Sequence, residues 1–237
     1  DPHLLTNFIA RYAEVGPPSA RLRYRIVEPA DFHLQFSATN WTARGQPHFT
    51  FKFASTLPGQ SNAWTASPRG TVLLLHGYGD GQFAMAPWAL RLAEEGWRCV
   101  LVDLRGHGKS TGRRIYFGTQ ETQDLSRLLD VLARDGQADT PVEVVGHSYG
   151  GVLALRWKTV EPRIRNVVAM APYAVLSNVV LNIHDEYAGW LPRSVLKAGL
   201  RNLPRVLKVE PAELDTATVL ARSPVAALFA VGTDDRI

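Results

Sequence analysis

The stretch Val142-Glu-Val-Val-Gly146-His-Ser148-Tyr-Gly150-Gly-Val152 decides the fold predicted for this chain. The apolar run 142–145 predicts a buried strand, and residues 152–160 predict a helix. Gly-x-Ser-x-Gly is weak evidence by itself, but it is strong between a strand and a helix. A serine on such a tight, strained turn needs glycine on both sides, because flanking side chains would clash with the strand and helix. We expect the turn to present the Ser148 hydroxyl as a nucleophile; the alternative is a glycine-rich turn with an incidental serine.

Strands and helices alternate through most of the chain after residue 70. Buried strands are predicted at 72–75, 99–104, 142–145, 167–170 and 225–231, and helices at 82–95 and 119–134. The second helix places four leucines on one face: Leu125, Leu128, Leu129 and Leu132. This alternation predicts a parallel sheet with helices on its faces. Antiparallel strands are predicted before it, at 22–26, 33–36 and 48–53.

Residues 172–222 interrupt the alternation. Helix-like pieces at 175–187, 193–200 and 211–222 are separated by prolines. The segment is too long for a simple crossover, so we predict a helical cap over the carboxyl edge of the sheet, with a decorated crossover as the alternative. The predicted domains are a core of residues 1–171 and 223–237 and a cap of residues 172–222. Apolar cap residues either shape a pocket or form the cap's own core: Val179, Val180, Leu181, Tyr187, Trp190 and Leu191.

Composition excludes several classes of protein. The chain has 237 residues, of which 46% are hydrophobic and 20% charged, as in one soluble α/β domain. No apolar run approaches the roughly 18 residues of a membrane span. The net charge of +4 is scattered, which predicts a solvated surface and no nucleic-acid partner. The single Cys99 excludes an internal disulfide and predicts a buried, inert thiol. The chain begins with Asp1 rather than Met, which suggests a processed N-terminus. A removed signal peptide would explain it, so we expect an extracytoplasmic location.

A tetrahedral oxyanion requires preorganised backbone donors. The N–H of Tyr149, directly after the nucleophile, is the first candidate. The loop 76–81, His-Gly-Tyr-Gly-Asp-Gly, follows the first buried strand and supplies the second candidate, the N–H of Tyr78. Gly77 and the other glycines let this loop fold close to the site. We expect His76 to brace the loop rather than to take part in catalysis.

The order of these motifs resembles the α/β-hydrolase superfamily. It comprises the His-Gly loop, Asp103-Leu-Arg-Gly-His107-Gly-Lys-Ser110, the serine turn and Gly232-x-x-Asp235. The segment after His107 is similar to the branch of monoacylglycerol lipases, lysophospholipases and serine aminopeptidases. The resemblance covers 71–237 and implies a mostly parallel central sheet flanked by helices. It also implies hydrolysis of a small-molecule ester or amide through an acyl-enzyme, with no metal and no organic cofactor.

The resemblance implies further site residues. The family's acid stands three residues after a glycine, which favours Asp235 over Asp234; the alternative is a polar loop with two solvated aspartates. Asp103 and His107 are then expected beside the site and outside the catalytic triad. The family's base is a histidine that follows the acid, but none of the seven histidines does so. We therefore expect the gene product to continue past Ile237 with a strand, a histidine loop and a helix.

Three functions fit these residues. The first is a carboxylic-ester hydrolase of esterase or lipase type. The second is a peptidase, amidase or thioesterase, which would use the same nucleophile and oxyanion hole. The third is a catalytically silent binding protein with the same fold. Dehalogenases and epoxide hydrolases of this superfamily carry aspartate in place of Ser148, which argues against both.

Overall fold

A seven-stranded sheet forms the centre of the computed structural model, which describes residues 8–29, 33–43, 46–56 and 67–232. The strands in chain order are β1 (Arg11–Val15), β2 (Ala20–Val27), β3 (His33–Ala43), β4 (Gln46–Thr56), β5 (Thr71–Leu75), β6 (Arg98–Val102), β7 (Val142–His147), β8 (Ile164–Met170) and β9 (Leu228–Ala230). The order across the sheet is β1-β2-β6-β5-β7-β8-β9, while β3 and β4 pair with each other as a separate antiparallel ladder.

The five strands from β5 onward in the sheet are parallel, and the leading strands are antiparallel. β5 lies between β6 and β7, β8 follows β7, and β9 follows β8. β2 joins them by antiparallel pairing with β6, and β1 pairs antiparallel with β2. The predicted α/β class, with leading antiparallel strands before a mostly parallel sheet, is confirmed. The sequence analysis did not predict β1, whose alternation of Tyr12 and Glu14 with buried Ala13 and Val15 lasts only five residues.

Six α-helices follow the predicted pattern within the described chain. They are α1 (Ala86–Glu94), α2 (Glu121–Arg134), α3 (Tyr149–Lys158), α4 (Leu176–Tyr187), α5 (Arg193–Leu207) and α6 (Thr216–Arg222). Single 3-10 turns at Gln82–Met85 and Pro211–Leu214 precede α1 and α6. None of these helices is both long enough and apolar enough to span a bilayer.

Helices cover both faces of the parallel strands. On β5, Leu73 and Leu75 join the core cluster that contains the apolar faces of α2 and α3. Val72 and Leu74 point the other way and join the cluster that contains α1. A strand buried on both faces has to be apolar at every position, which explains the unbroken run of the sequence. Cys99, in β6, is fully buried, and burial raises the pKa of its thiol, as expected for an inert cysteine.

The prediction for the last strand was wrong in length and burial. Residues 225–231 were expected to form a buried strand, but β9 covers only Leu228–Ala230. β9 pairs with β8 on one side and is the edge strand of the described sheet. Leu228 and Phe229 are more than half exposed as a result. An apolar run therefore indicated a strand here, whereas burial depended on which neighbours pack against it.

A buried ion pair ties α2 to the segment after β6. The Arg105 guanidinium donates to both carboxylate oxygens of Asp124, over 2.6 and 2.8 Å, and both side chains are about 1% exposed. Arg105 also donates to the Pro18 carbonyl, in the turn between β1 and β2, over 2.8 Å. Breaking such a pair leaves an uncompensated buried charge. This pair therefore fixes three separate segments relative to each other.

Replacing Asp124 with asparagine should lower the free energy of unfolding by about 3–5 kcal/mol, because Arg105 would keep its charge without a counter-ion. Urea denaturation followed by tryptophan fluorescence measures the loss. Asp130→Asn is the control on the same helix, since Asp130 forms an exposed pair with Arg163 and should cost less than about 1 kcal/mol. Equal losses for the two variants would contradict a structural role of the buried pair.

Candidate active site

Ser148 occupies a strained turn between β7 and α3. Its φ of 50° and ψ of −113° lie in a region that non-glycine residues rarely adopt. The Ser148 N–H donates to the Met170 carbonyl on β8 over 2.8 Å, which holds the turn against the neighbouring strand. The helix begins at Tyr149, three residues earlier than predicted. The serine thus stands directly at the N-terminal end of α3, half-buried, where the helix dipole favours negative charge.

The two glycines of the motif are required by backbone contacts. A Cβ on Gly146 would lie 2.1 Å from the Gly150 carbonyl oxygen. A Cβ on Gly150 would lie 2.2 Å from the Leu75 carbonyl oxygen at the end of β5. Both distances are shorter than any permitted contact, and both neighbours are backbone atoms that cannot rotate away. The turn therefore packs against its own helix and against the central strand with no side chain between them.

The loop after β5 is braced by His76, as predicted. The Leu104 N–H donates to His76 Nε2 over 3.0 Å, so Nδ1 carries the proton and donates to the Gly77 carbonyl over 2.7 Å. Burial lowers the pKa of His76, which keeps the imidazole neutral and in this tautomer. A Cβ on Gly77 would lie 3.0 Å from Asp80 Oδ2 and 3.3 Å from His147 Nδ1. The loop therefore lies close beside the serine turn.

Aromatic rings hold the two proposed oxyanion donors together. The Tyr149 ring is buried beneath the site, and its centroid is 6.1 Å from the Tyr78 ring in an edge-to-face arrangement. Phe117 stacks on Tyr78 at 6.4 Å and meets Tyr149 edge-on at 6.2 Å. The Tyr149 N–H is among the first of α3, where backbone donors have no partner within the helix. The side chains of Tyr78 and Tyr149 are therefore in contact, and the role of their backbone N–H groups as oxyanion donors stays a prediction.

Ser148 opens into a cavity of about 420 Å³. Tyr78 and Gly77 from the β5 loop line it, together with His147. Helix α4 supplies much of the remaining wall, and it does so with apolar side chains: Leu176, Val179, Val180 and Ile183. Of the six cap residues proposed from sequence, Val179 and Val180 line this cavity, while Leu181, Tyr187, Trp190 and Leu191 do not. Tyr187 and Trp190 are instead mostly exposed on the surface.

Sequence reasoning missed part of this wall. Phe117, Tyr173 and Asp80 also line the cavity. The two aromatic residues lie in irregular segments, where no periodicity marks a side chain as pocket-facing. Asp80 belongs to the glycine-rich loop 76–81, and no role is predicted for it from the sequence. Helix α6, at the end of the segment predicted as a cap, packs against α3.

Asp103 and His107 lie beside the site and carry structural contacts. Asp103 accepts the N–H of Gln82 over 2.7 Å and that of Lys109 over 3.0 Å. A Cβ on Gly108 would come within 2.6 Å of the Asp103 carboxylate, so the turn after β6 closes tightly around this aspartate. His107 Nδ1 lies 2.9 Å from the Arg105 carbonyl, and the ring packs on Tyr78 and Tyr149. These contacts fit the expectation that both residues support the site from outside the triad.

Among the described residues, no acid and no base of the predicted triad is hydrogen-bonded to Ser148. Asp235 and Asp234 lie outside them, so the assignment of Asp235 stays a prediction. Across the described contacts, no histidine is hydrogen-bonded to Ser148, although His147 lines the same cavity. His184 in α4 is engaged elsewhere, with Nδ1 2.8 Å from Asp185 and Nε2 2.6 Å from the Leu191 carbonyl.

The parallel sheet, its helices and the strained serine turn define the chain as an α/β-hydrolase. Over residues 66–224 it matches the serine aminopeptidase S33 family, and it belongs to that family. A monoacylglycerol lipase of Mycolicibacterium smegmatis is 30% identical over 167 residues, which cover 69% of this chain and 55% of the lipase. A caffeoylshikimate esterase of Arabidopsis thaliana is 33% identical over 91 residues, or 37% of this chain and 27% of the esterase.

Solved structures show the same fold. An esterase of Pyrococcus furiosus superposes with a TM-score of 0.64 at 18% identity, over 99% of this chain and 73% of that chain. At this level of identity the likeness shows the fold alone. The chain spans about half the length of the Mycolicibacterium lipase that it matches.

Replacing Gly150 with alanine should lower the free energy of unfolding by at least about 3 kcal/mol, because the Cβ would overlap the β5 backbone. Denaturation in urea measures the loss. Gly199→Ala in α5 is the matched control, because its Cβ would meet nothing within 4 Å. There the same substitution should raise stability by about 0.5–1 kcal/mol, the usual preference for alanine over glycine in a helix. If Gly150→Ala were as stable as the wild-type protein, this would contradict the close packing of Gly150 against the Leu75 carbonyl.

His184 should make the stability of the protein depend on pH. The Leu191 carbonyl and the Asp185 carboxylate both accept from the imidazole, so they raise its pKa and favour the charged form. The resulting stabilisation is complete below the unfolded-state pKa of about 6.5 and is lost as pH rises through the folded-state value. The free energy of unfolding should therefore be higher for the wild type than for His184→Gln at pH 5.5. This difference in free energy should be smaller at pH 8.5. A gap that does not change with pH would contradict this role.

Proposed function

We propose that this protein is a serine hydrolase that cleaves a carboxylic ester through an acyl-enzyme intermediate. One observation carries the proposal: Ser148 stands on a strained turn at the N-terminal end of α3 and opens into a cavity of about 420 Å³. Strain of this kind persists only where the surrounding structure enforces it, and it clusters at active sites. The cavity volume lies within the usual range of small-molecule sites, roughly 300–1,000 Å³.

In the proposed reaction, Ser148 Oγ attacks the carbonyl carbon and gives its proton to a general base. The backbone N–H groups of Tyr149 and Tyr78 stabilise the oxyanion, with the α3 dipole adding to them. The oxyanion collapses, the alcohol leaves with the proton, and water then hydrolyses the acyl-enzyme by the same route. The base is proposed to be a histidine, held in its tautomer by Asp235.

The lining of the cavity supports an ester with an apolar acyl or alcohol group. Leu176, Val179, Val180 and Ile183 of α4 form a continuous apolar wall. Such a wall gains free energy by removing a hydrocarbon from water, roughly 25 cal/mol per Å² of buried apolar area. The M. smegmatis relative is a monoacylglycerol lipase, whose name agrees with this substrate class. We propose that α4 belongs to a cap, residues 172–222, that shapes this pocket.

A second candidate is an aminopeptidase-like amidase. Asp80 places a carboxylate at the cavity. A carboxylate in that position could hold the ammonium group of an aminoacyl substrate, and the family that the chain belongs to is described as serine aminopeptidase. The two candidates share the nucleophile and the oxyanion donors, so they differ only in what the cavity accepts.

Covalent labelling tests the nucleophile. A fluorophosphonate probe should label the full-length gene product at Ser148, and Ser148→Ala should remove that label completely, because the serine oxygen forms the bond to phosphorus. Ser177→Ala is the matched control: Ser177 lies in α4 but does not line the cavity, so labelling should be unchanged. A full-length gene product that remains unlabelled would contradict the hydrolase and favour a catalytically silent binding protein.

Substrate comparison separates the two candidates. If the protein is an esterase, kcat/KM for p-nitrophenyl butyrate should exceed that for alanine p-nitroanilide, and Asp80→Asn should leave the ester rate within about threefold. If it is an amidase, the order should be reversed and Asp80→Asn should weaken turnover of the anilide by about tenfold, the effect of losing one charge-assisted contact of about 1.4 kcal/mol.

A further inference from the structure

The described part of the protein contains a second cavity, separate from the one at Ser148. Its volume is about 550 Å³, and it lies between the N-terminal end of α2, the C-terminal end of α3, and α5 and α6. No described residue lines both cavities. Tyr116 and Gly118 face the second cavity, whereas Phe117 between them faces the first. Its volume is ordinary for a small-molecule site.

This cavity is lined by a buried guanidinium that has no counter-ion in the part of the chain that the structure describes. Arg156 of α3 is 5% exposed, and its Nη1 has no hydrogen-bond partner among the described residues. Within the same part of the chain, no carboxylate lies within ion-pair distance of it. Burial lowers the pKa of Arg156, but a guanidinium keeps its charge in proteins. A buried cation is normally paired, because its lost hydration has to be replaced.

Two carboxylates act electrostatically on Arg156, but they do not replace the hydration that its guanidinium loses on burial. Glu121 and Glu213 act on Arg156 electrostatically but form no ion pair with it. The Glu121 oxygens accept the N–H groups of Tyr116 and Gly118 over 2.7 and 2.9 Å, and burial raises the pKa of this carboxyl. Close packing holds the Arg156 side chain instead: it lies so near the Gly118 backbone that a Cβ on Gly118 would be 2.5 Å from its Nε.

Two further cations line the same cavity, Lys208 at the end of α5 and Arg222 at the end of α6. Among the described residues, Glu213 is the one carboxylate that lines it. Lys208 adopts a left-handed conformation with φ of 58°, at a helix end where glycine is the usual residue. A lysine at this position is costly for the backbone. The three cations therefore converge from three different helices on one cavity with a net positive charge.

We propose that this cavity is a binding site for a small oxyanion, a phosphate or carboxylate group, with the Arg156 guanidinium as its buried anchor. Arginine suits this role because its planar fork donates two parallel hydrogen bonds to such a group. Lys208 and Arg222 add charge at the more exposed side. The ligand class is an organic molecule that carries one phosphate or carboxylate. No described residue of this site lines the Ser148 cavity, so the proposal does not rest on the proposed hydrolase reaction.

Anion titration of the full chain tests the site. Inorganic phosphate and citrate are the probes, with sodium chloride at matched ionic strength as the reference, and both the melting temperature and calorimetric Kd are measured. Wild type should show a saturable rise in melting temperature with at least one probe. A response to phosphate alone assigns the site to phosphoryl groups, and a response to citrate alone assigns it to carboxylates. No rise beyond that in sodium chloride would overturn the proposal.

Three variants locate the binding. Arg156→Met should weaken the Kd at least tenfold, because it removes the anchor without leaving a buried charge. Lys208→Gly should weaken it by about threefold or more while relieving backbone strain, so this variant decides the question if Arg156→Met does not fold. Arg127→Met is the control, since Arg127 is exposed on α2 and does not line the cavity. An unchanged Kd in Arg156→Met would overturn the proposed site. If Arg156→Met does not fold, an unchanged Kd in Lys208→Gly would overturn it.

Discussion

The direct backbone contact between Gly150 and the Leu75 carbonyl is the constraint on which the rest of the structure depends. It brings the first turn of α3 against the end of β5, at a distance that a single methyl group would prevent. Gly146 makes the corresponding contact with the same helix turn. Because β7, α3 and β5 meet without side chains, Ser148 has no relaxed conformation available and stands at a φ of 50°. The strain at the serine is thus a consequence of how closely the central elements pack.

Three buried polar side chains near this contact, those of His76, Asp103 and Arg105, are hydrogen-bonded and hold the neighbouring loops in place. His76 joins the β5 loop to Leu104, and Asp103 closes the turn after β6 around its own carboxylate. Arg105 then links this turn to Asp124 of α2. Each of these residues looks like a catalytic candidate by type alone. Their hydrogen bonds are satisfied by nearby segments, so their role is to fix the loops that carry Tyr78 and Phe117.

The two cavities differ in chemistry because different helices line them. The wall at Ser148 is mainly apolar and comes largely from α4, which suits the hydrocarbon part of an ester. The second cavity collects cations from the ends of α3, α5 and α6. Arg156 lies eight residues after Ser148, in the last turn of α3, whereas Ser148 precedes the first turn. One short helix therefore has the Ser148 turn at one cavity and a buried charge at the other.

The sequence by itself determined the class of fold, the serine turn and the bracing role of His76. These features follow from local rules: apolar runs for strands buried on both faces, and glycines where no Cβ fits. Only the tertiary structure decided that α4 walls the Ser148 cavity, that β9 lies at the edge of the described sheet, and that Arg156 is buried without a counter-ion among the described residues. These depend on which distant segments meet, such as Gly118 against Arg156. Neither periodicity nor composition carries that information, because packing between elements is set by the whole chain.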